Sequence, residues 1–299
     1  MKKIKRILTV KDFNDYIGIS TSNELISFIS FETLPPIPVT RNYMGVYAIF
    51  FKNIKCGDIT YGCQNFDYDE GTLVFVAPGQ IYGIDSKNKL VQPSGYGLIF
   101  HPDFIKGTQL GKNIKNHEYF HYNTNEALHM CEEEKLLIIS YLQKISSLIL
   151  KEPFDHNSKI LISSKIEILL TYCQRFYNRQ FITRTHVNED ILTRFEILLK
   201  DYFSTNKNLH LGLPTVEYCA ENLNLSPNYF GELIKREMGI NALDYIHSKI
   251  IDEAKMRIFD FSKNFSEISD ELGFKSQQHF TRLFKKKTGF TPKEYRNTN

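Results

Sequence analysis

The chain has 299 residues, of which 42% are hydrophobic and 24% are charged, and its formal net charge is +3. This length predicts two domains and a connector, and this composition is typical of a globular protein with a substantial apolar core. No apolar run reaches the about 18 residues of a membrane-spanning helix, which excludes such a helix. The basic N-terminus leads into Lys11, Asp12 and Asp15 instead of an apolar signal core, so we expect no export.

The cysteines are odd in number, and none are spaced as Cys-x-x-Cys. This pattern disfavours a disulfide framework and a zinc site, and it is typical of a reducing cytoplasm. We therefore expect a cytoplasmic protein with no metal and no cofactor, in which each thiol is a small buried side chain. The cysteines are Cys56, Cys63, Cys131, Cys173 and Cys219.

Residues 40–105 have the pattern of β-strands. Short apolar runs at 46–51 and 73–76 are separated by turn-forming segments that contain Gly and Pro. Many short strands punctuated in this way predict a barrel or a sandwich, and we assign residues 1–130 to a β-barrel domain.

From Glu132 onwards the apolar spacing changes from two to 3.6 residues and predicts a helical hairpin at 132–151 and 157–180. Its apolar stripe fits either an intradomain core or a subunit seam. A third helix near 189–203 ends in the polar segment 204–208, which we interpret as an interdomain linker. Residues 131–205 are therefore assigned to a helical connector and dimerisation region, and residues 206–299 to a second domain.

The C-terminal residues contain an internal repeat with an offset of 50. The offset superposes Ser, Phe, Leu, Lys, Gly and Tyr on residues of the same type, which indicates one supersecondary unit used twice. The matching pairs are Ser226 and Ser276, Phe230 and Phe280, Leu233 and Leu283, Lys235 and Lys285, Gly239 and Gly289, and Tyr245 and Tyr295.

The first unit, residues 215–238, has the signals of a helix, a tight turn and a second helix. Thr215 is placed to cap the first helix, and Ser226 caps the second with Pro227 at its first position. Gly239 stands where the second helix ends and a positive φ is favoured.

The second unit, residues 266–287, repeats this arrangement. Ser266 is the predicted cap of its first helix, Gly273 its turn and Ser276 the cap of its second helix. Gly289 closes that helix as Gly239 closes the first. Between the units, residues 242–259 predict a linker helix, whose apolar side would hold both units at a fixed spacing.

The second helix of the second unit has a polar face that suits the major groove of DNA. Phe280, Leu283 and Phe284 form its apolar stripe. Gln pairs bidentately with adenine and Arg with guanine, Thr offers a methyl group to thymine, and Lys holds phosphate. The candidate DNA-binding residues here are Ser276 and Gln277 at the helix start, then Gln278, Thr281, Arg282 and Lys285.

The corresponding face of the first unit is poorer in groups that read bases. It carries Asn228, Gly231, Glu232 and Lys235. Asn228 and Lys235 are useful contacts, whereas Glu232 either accepts from cytosine or repels phosphate. We therefore expect the second unit to carry more of the base recognition. The alternative for both units is a polar face that only meets solvent.

Positive charge is concentrated after residue 274, where seven basic residues stand against the single acid Glu294. This charge fits a polyanion or a solvated helix face equally well. The basic residues are Lys275, Arg282, Lys285, Lys286, Lys287, Lys293 and Arg296.

The segment Leu-Gly-Phe-Lys-Ser-Gln-Gln-His-Phe-Thr-Arg-Leu-Phe-Lys-Lys at 272–286, with Thr-Gly-Phe-Thr-Pro-Lys-Glu-Tyr-Arg at 288–296, closely resembles the C-terminal signature of AraC/XylS-type transcription regulators. Residues 225–235 resemble the first helix-turn-helix of that family. The resemblance implies double-stranded DNA as partner, homodimers and recruitment of RNA polymerase by an activator. Ile250 departs from the family, where many members carry a basic residue.

Residues 71–82 resemble a strand and turn of the cupin-like sensor domain of the same family. The implied fold is multidomain, with a cupin-like N-terminal β-barrel and helical hairpin, then an all-α double helix-turn-helix domain. Tyr82 stands where metal-binding cupins have His, and none of the nine His lies in residues 1–100, which argues against an enzyme. Candidate ligand-binding residues in the barrel are Tyr43, Tyr47, Tyr61, Tyr82 and Tyr96.

These features predict a DNA-binding transcription regulator controlled by a small-molecule effector in the barrel. The first alternative is a ligand-independent regulator whose barrel only dimerises or docks a partner. The others are a cupin-type enzyme fused to a DNA-binding domain and a protein-interaction module.

Overall fold

The computed structural model describes residues 4–38, 40–52, 71–83, 90–123, 126–150, 154–183 and 185–298. The chain divides into two compact units, residues 1–183 and 184–299. The first combines strands and helices, whereas the described part of the second is helical. This confirms the multidomain arrangement with a strand-rich N-terminal region and a helical C-terminal region.

The described strands of the first unit form three sheets. A five-stranded sheet has the order β10-β6-β5-β9-β2 with antiparallel neighbours, a three-stranded sheet has the order β1-β4-β7, and β3 pairs with β8. These strands close no barrel within the residues described, so the barrel stays a prediction. The strands are β1 Lys5–Ile7, β2 Ile26–Ser30, β3 Ile37–Pro38, β4 Asn42–Met44, β5 Tyr47–Lys52, β6 Thr72–Val76, β7 Ile81–Tyr82, β8 Leu90–Val91, β9 Gly95–Phe100 and β10 Leu128–His129.

The helices of this unit cover both faces of the five-stranded sheet. They are α1 Val10–Ile17, α2 Pro102–Ile105, α3 Gln109–Asn113, α4 Glu132–Ile149 and α5 His156–Thr183. On one face Phe50 of β5 packs in a core cluster with Phe13 of α1. On the other, Phe75 of β6 lies 6.3 Å from the ring of Tyr177 of α5. Because both faces are covered, β5 and β6 are continuous apolar runs instead of alternating ones.

The predicted hairpin is confirmed as α4 and α5, with ends within three residues of those expected. Ile138 and Ile145 of α4 and Ile166 of α5 are fully buried within the single chain, which assigns the apolar stripe to the intradomain core. α5 is also joined to edge strand β10, because the Gln180 amide accepts from the His129 N–H at 2.7 Å and donates to a neighbouring carbonyl.

The second unit contains eight helices among its described residues. They are α6 Thr185–Ser204, α7 Lys207–Leu211, α8 Val216–Asn222, α9 Pro227–Met238, α10 Ala242–Ile258, α11 Phe265–Glu271, α12 Gln277–Thr288 and α13 Pro292–Thr298. None of the described helices in either unit is long and apolar enough to cross a membrane.

The polar segment 204–208, expected to link two domains, lies inside the second unit, and that expectation is corrected. Tyr202 at the end of α6 donates its hydroxyl to the Gly212 carbonyl at 2.9 Å. Phe195 in the middle of α6 is fully buried, with its ring 4.9 Å from that of Phe230 on α9. The unit therefore begins at residue 184, about twenty residues earlier than the sequence predicted.

Candidate nucleic-acid interface

The first helix-turn-helix consists of α8, a tight turn and α9. Thr215 caps α8 by accepting from the Tyr218 N–H at 3.1 Å, and Asn224 adopts a left-handed φ of 59° in the turn. Ser226 caps α9 with Pro227 at its first position, as predicted. Gly239 ends the helix with a φ of 72°, a conformation that favours glycine.

The second helix-turn-helix consists of α11 and α12, and its first cap differs from the prediction. Asn264, not Ser266, caps α11, because its side-chain oxygen accepts from the N–H groups of Ser266 and Glu267 at 2.9 and 3.0 Å. The Glu267 carboxylate accepts in return from the Asn264 N–H at 2.8 Å, which completes a capping box. The predicted cap of α12 is confirmed, since Ser276 accepts from the His279 N–H at 3.3 Å.

The turn of the second helix-turn-helix requires glycine. Gly273 has a φ of 89°, and a Cβ there would lie 2.6 Å from the Asn208 carbonyl oxygen. The side chain of Asn208 donates to the Glu271 carbonyl at the end of α11. Residues 207–212 thus pack directly against the turn between α11 and α12.

The exposed face of α12 carries the residues expected to contact DNA. Phe280 and Phe284 are fully buried on the opposite face. Thr281 is half-buried within the exposed face. The other five of the six predicted residues are exposed, and four of these, Ser276 excepted, have no hydrogen bond or ion pair to any described residue. The exposed predicted residues are Ser276, Gln277, Gln278, Arg282 and Lys285.

The face of α9 is organised differently. Asn228 is half-buried and Lys235 is exposed. The Glu232 carboxylate, by contrast, is paired with the Arg236 guanidinium at 2.9 Å. Glu232 is therefore joined to a cation on its own helix, and Arg236 is a basic residue of this face that the sequence analysis missed. The spacing of Glu and Arg at i and i+4 was the signal that could have found it.

The basic residues after position 274 fall into two groups. Lys287 binds Asp244 and Ser248 of α10, and Arg296 donates to the Ile258 carbonyl at 2.6 Å. These two are bound within the domain. The other five are exposed and carry the positive charge of this surface. The exposed group is Lys275, Arg282, Lys285, Lys286 and Lys293.

The linker helix is confirmed as α10, with ends within one residue of those predicted. Ile250 is fully buried, so it lies in the core and not on the surface. Its neighbour Lys249 lies 3.4 Å from the Glu196 carboxylate of α6. Tyr245 donates to the same carboxylate at 2.6 Å, and this hydrogen bond lowers the pKa of Glu196.

Two of the tyrosines proposed as ligand walls lie on the face of the five-stranded sheet that α5 covers. The Tyr47 ring stacks on Phe100 at 5.2 Å, and the Tyr96 ring stacks on Phe28 at 5.6 Å. Burial raises the pKa of Tyr47. Both rings therefore stack on residues of neighbouring strands in the same sheet.

The other tyrosines are placed elsewhere. Tyr82 stacks on Phe50 at 5.1 Å, on the opposite face of that sheet. The Arg6 guanidinium lies over the Tyr43 ring at 5.5 Å, and Tyr61 is outside the described residues. The structure therefore does not bring these tyrosines to one wall. No group of three metal-ligating side chains occurs in the described ranges.

The match to a family model lies in the C-terminal unit. Residues 219–298 match the family model described as a helix-turn-helix domain. Over 84 residues the chain is 33% identical to the uncharacterized HTH-type transcriptional regulator YobQ of Bacillus subtilis, covering 28% of this chain and 35% of that protein. Over 77 residues it is 31% identical to the arabinose operon regulatory protein of Escherichia coli, covering 26% of each.

Among solved structures, the C-terminal domain of AraT, a response regulator from Geobacillus stearothermophilus, is 29% identical with a TM-score of 0.32. That match covers 36% of this chain and 85% of that one. The chain spans about a third of YobQ and about a quarter of the arabinose regulator. The similarity to these two curated proteins therefore covers only part of either chain.

Proposed function

We propose that this chain is a sequence-specific DNA-binding transcription regulator of the AraC type and not an enzyme, because residues 219–298 match a helix-turn-helix family model and part of the chain is similar to arabinose operon regulatory proteins. The observation that carries the proposal is the exposed face of α12. There Gln278, Arg282 and Lys285 are exposed and unbonded to other described residues, opposite a buried stripe of phenylalanines. A polar face of this kind on the second helix of a helix-turn-helix suits insertion into the major groove.

The residue types on α12 match the edges of the bases. Gln277 and Gln278 near the helix start pair bidentately with adenine, and Arg282 pairs with the O6 and N7 atoms of guanine. Thr281 offers its methyl group to thymine. Lys285, one turn further, binds a phosphate and sets the register of the helix on the duplex.

The first helix-turn-helix contributes less to sequence recognition and more to positioning the protein on DNA. Asn228 lies in the first turn of α9, where recognition helices meet base edges, and Lys235 supplies a phosphate contact. The Glu232 carboxylate is shared with Arg236, so its charge is partly neutralised before DNA is met. α10 packs against helices of both helix-turn-helix units. It would hold their recognition helices about 34 Å apart, which is one turn of DNA.

We propose that the strand-rich first unit is a cupin-like sensor that binds a small-molecule effector and that the regulator is a cytoplasmic homodimer that recruits RNA polymerase. An effector changes transcription only if it binds one arrangement of the protein better than another. The alternative is a ligand-independent regulator whose first unit only dimerises or docks a partner. The separation of Tyr47 and Tyr82 onto opposite faces of a sheet favours neither.

Genomic footprinting of the full-length chain tests the proposal. The Gln278→Ala, Arg282→Ala double variant should lose occupancy at the sites bound by the wild type. The matched control is Gln109→Ala, Lys112→Ala, which removes two exposed polar side chains from α3 of the first unit. Occupancy that is unchanged in the α12 variant would show that these residues do not read bases, and a wild type without discrete sites would overturn the proposed function.

A further inference from the structure

One position of the internal repeat joins each candidate recognition helix to a different supporting helix. Glu237 of α9 and Lys287 of α12 stand fifty residues apart, each in the last turn of its helix. The Glu237 carboxylate accepts from the Asn188 side chain of α6 at 3.0 Å. The Lys287 ammonium group donates to acceptors on α10.

The contacts of Lys287 are numerous for a lysine. Its ammonium group lies 3.1 Å from the Asp244 carbonyl oxygen, 3.3 Å from the Asp244 carboxylate and 3.3 Å from the Ser248 hydroxyl. These acceptors lie on successive turns of α10. Its side chain is 21% exposed, whereas the neighbouring Lys286 is exposed. The hydrogen bond from Lys287 and its charge lower the pKa of Asp244, so this carboxylate is ionised at neutral pH.

We propose that Lys287 is a positioning residue that fixes the rotation and axial position of α12 relative to α10. It thereby sets the spacing that the protein accepts between two boxes, the short DNA sequences contacted by α9 and by α12. This inference rests on the proposed function and goes beyond it, because it assigns spacing selectivity to a residue that does not face DNA. Glu237 is the corresponding anchor of α9 on α6.

The polar contacts of α12 are directional, whereas its apolar contacts are not. Apolar burial is non-directional, and the rings of Phe280 and Phe284 pack on Phe274 and Tyr295, which lie outside α10. The ammonium group of Lys287, in contrast, must keep three acceptors within hydrogen-bond distance. A shift of α12 by one residue would move it about 1.5 Å along its axis and turn it by about 100°, which would break these bonds.

The consequence for DNA follows from helical geometry. Successive base pairs are about 3.4 Å apart, and a full turn takes about 10 base pairs. Two recognition helices that are held rigidly therefore tolerate little change in the distance between their boxes. If the Lys287 anchor is removed, α12 can move on its apolar packing and follow a displaced box.

The experiment uses the full-length protein and a two-box operator obtained by selection from random duplex DNA. Binding is measured for that operator and for a version with two base pairs inserted between the boxes. We expect the insertion to weaken the wild type at least about tenfold, since contacts of one box are lost. For Lys287→Met we expect the same insertion to weaken binding about threefold or less, and we expect binding at the original spacing to be weaker than that of the wild type.

Lys286→Met is the matched control, because it removes the same charge from the adjacent residue of the same helix. It should lower the salt dependence and keep the wild-type ratio between the two spacings. If Lys287→Met also keeps that ratio, the inference is wrong while the proposed function stands. If the wild type selects no sequence, the proposed function itself fails.

Asp244→Asn is the second variant, which removes the charge of the acceptor and leaves α12 unaltered. It should shift the spacing ratio in the same direction as Lys287→Met, and it carries the test if the lysine variant does not fold. Circular dichroism establishes folding beforehand. A folded Asp244→Asn protein with the wild-type ratio would also contradict the inference.

Discussion

Glu232 and Arg236 lie one turn apart on α9 and form an ion pair of 2.9 Å on the side of the helix that we propose faces DNA. The Glu232 side chain is 19% exposed and that of Arg236 is 32% exposed, so both are partly desolvated. A carboxylate at this position opposes the approach of phosphates, and the arginine offsets it. The first helix-turn-helix is thereby less cationic than the second, whose exposed Arg282 and Lys285 form no comparably short ion pair among the described residues, although the charge of Lys285 contributes to lowering the pKa of Glu294.

Replacement of Glu232 by alanine should strengthen binding to duplex DNA of any sequence. The change removes a negative charge and releases Arg236 from this ion pair, so the guanidinium can bind a phosphate. We expect the affinity to rise and the slope of log K against log salt to steepen by about 0.9 for the added contact. Titrations at several salt concentrations measure both, with Glu133→Ala on α4 as the control for net charge. Weaker binding by Glu232→Ala would mean that this carboxylate accepts a hydrogen bond from a base.

Lys285 and Arg282 should respond differently to alanine substitution, although both are exposed cations of α12. Lys285→Ala should weaken binding to all duplexes alike and reduce the salt slope by about 0.9, because a phosphate contact is lost. Arg282→Ala should cost about 1–3 kcal/mol at the preferred site and relax selectivity at one base pair. Competition between specific and random duplexes separates the two. Equal loss on both duplexes for Arg282→Ala would assign this arginine to the backbone.

The cap of α11 can be located by stability measurements. Asn264→Ala removes the side-chain oxygen that accepts from two N–H groups, and it should lower the free energy of unfolding by about 1 kcal/mol. Ser266→Ala, at the position first expected to cap, should change it by less than about 0.5 kcal/mol. Urea denaturation of the two variants makes the comparison. The reverse order would restore Ser266 as the cap.

The pair of Asp244 and Lys287 predicts a pH dependence of stability. The pKa of Asp244 lies below its ordinary value of 3.8 because Lys287 donates a hydrogen bond to the carboxylate and places a positive charge beside it. A lowered pKa in the folded state adds stability above the ordinary pKa, and this contribution is lost as the pH falls through the lowered value. The wild type should therefore exceed Asp244→Asn in stability at neutral pH, and the difference should shrink below about pH 4. A difference that is constant with pH would show that Asp244 acts only through packing.

The sequence predicted the second unit better than the first for identifiable physical reasons. Caps such as Ser226 and Ser276 and terminal glycines such as Gly239 act within one turn of a helix, so local sequence determines them. The ion pair of Glu232 is likewise local, since Arg236 follows it by one turn of the same helix. The placement of the tyrosines depends on strand register and on which sheet face a distant helix covers, and neither is encoded near Tyr82.

The boundary of the second unit was misplaced because polar residues at 204–208 resemble a linker, although the buried Phe195 on α6 precedes them. A fragment of residues 184–299 should unfold cooperatively, whereas one of residues 206–299 should be much less stable, since it lacks the Phe195 ring that packs on Phe230 at 4.9 Å.

In the full chain, Phe195→Ala should cost about 3–5 kcal/mol in the free energy of unfolding of the second unit. Ile197→Ala, whose side chain is 53% exposed on the same helix, should cost far less. Thermal unfolding of both fragments and both variants measures these differences, and a fully stable 206–299 fragment would show that α6 is dispensable for this fold.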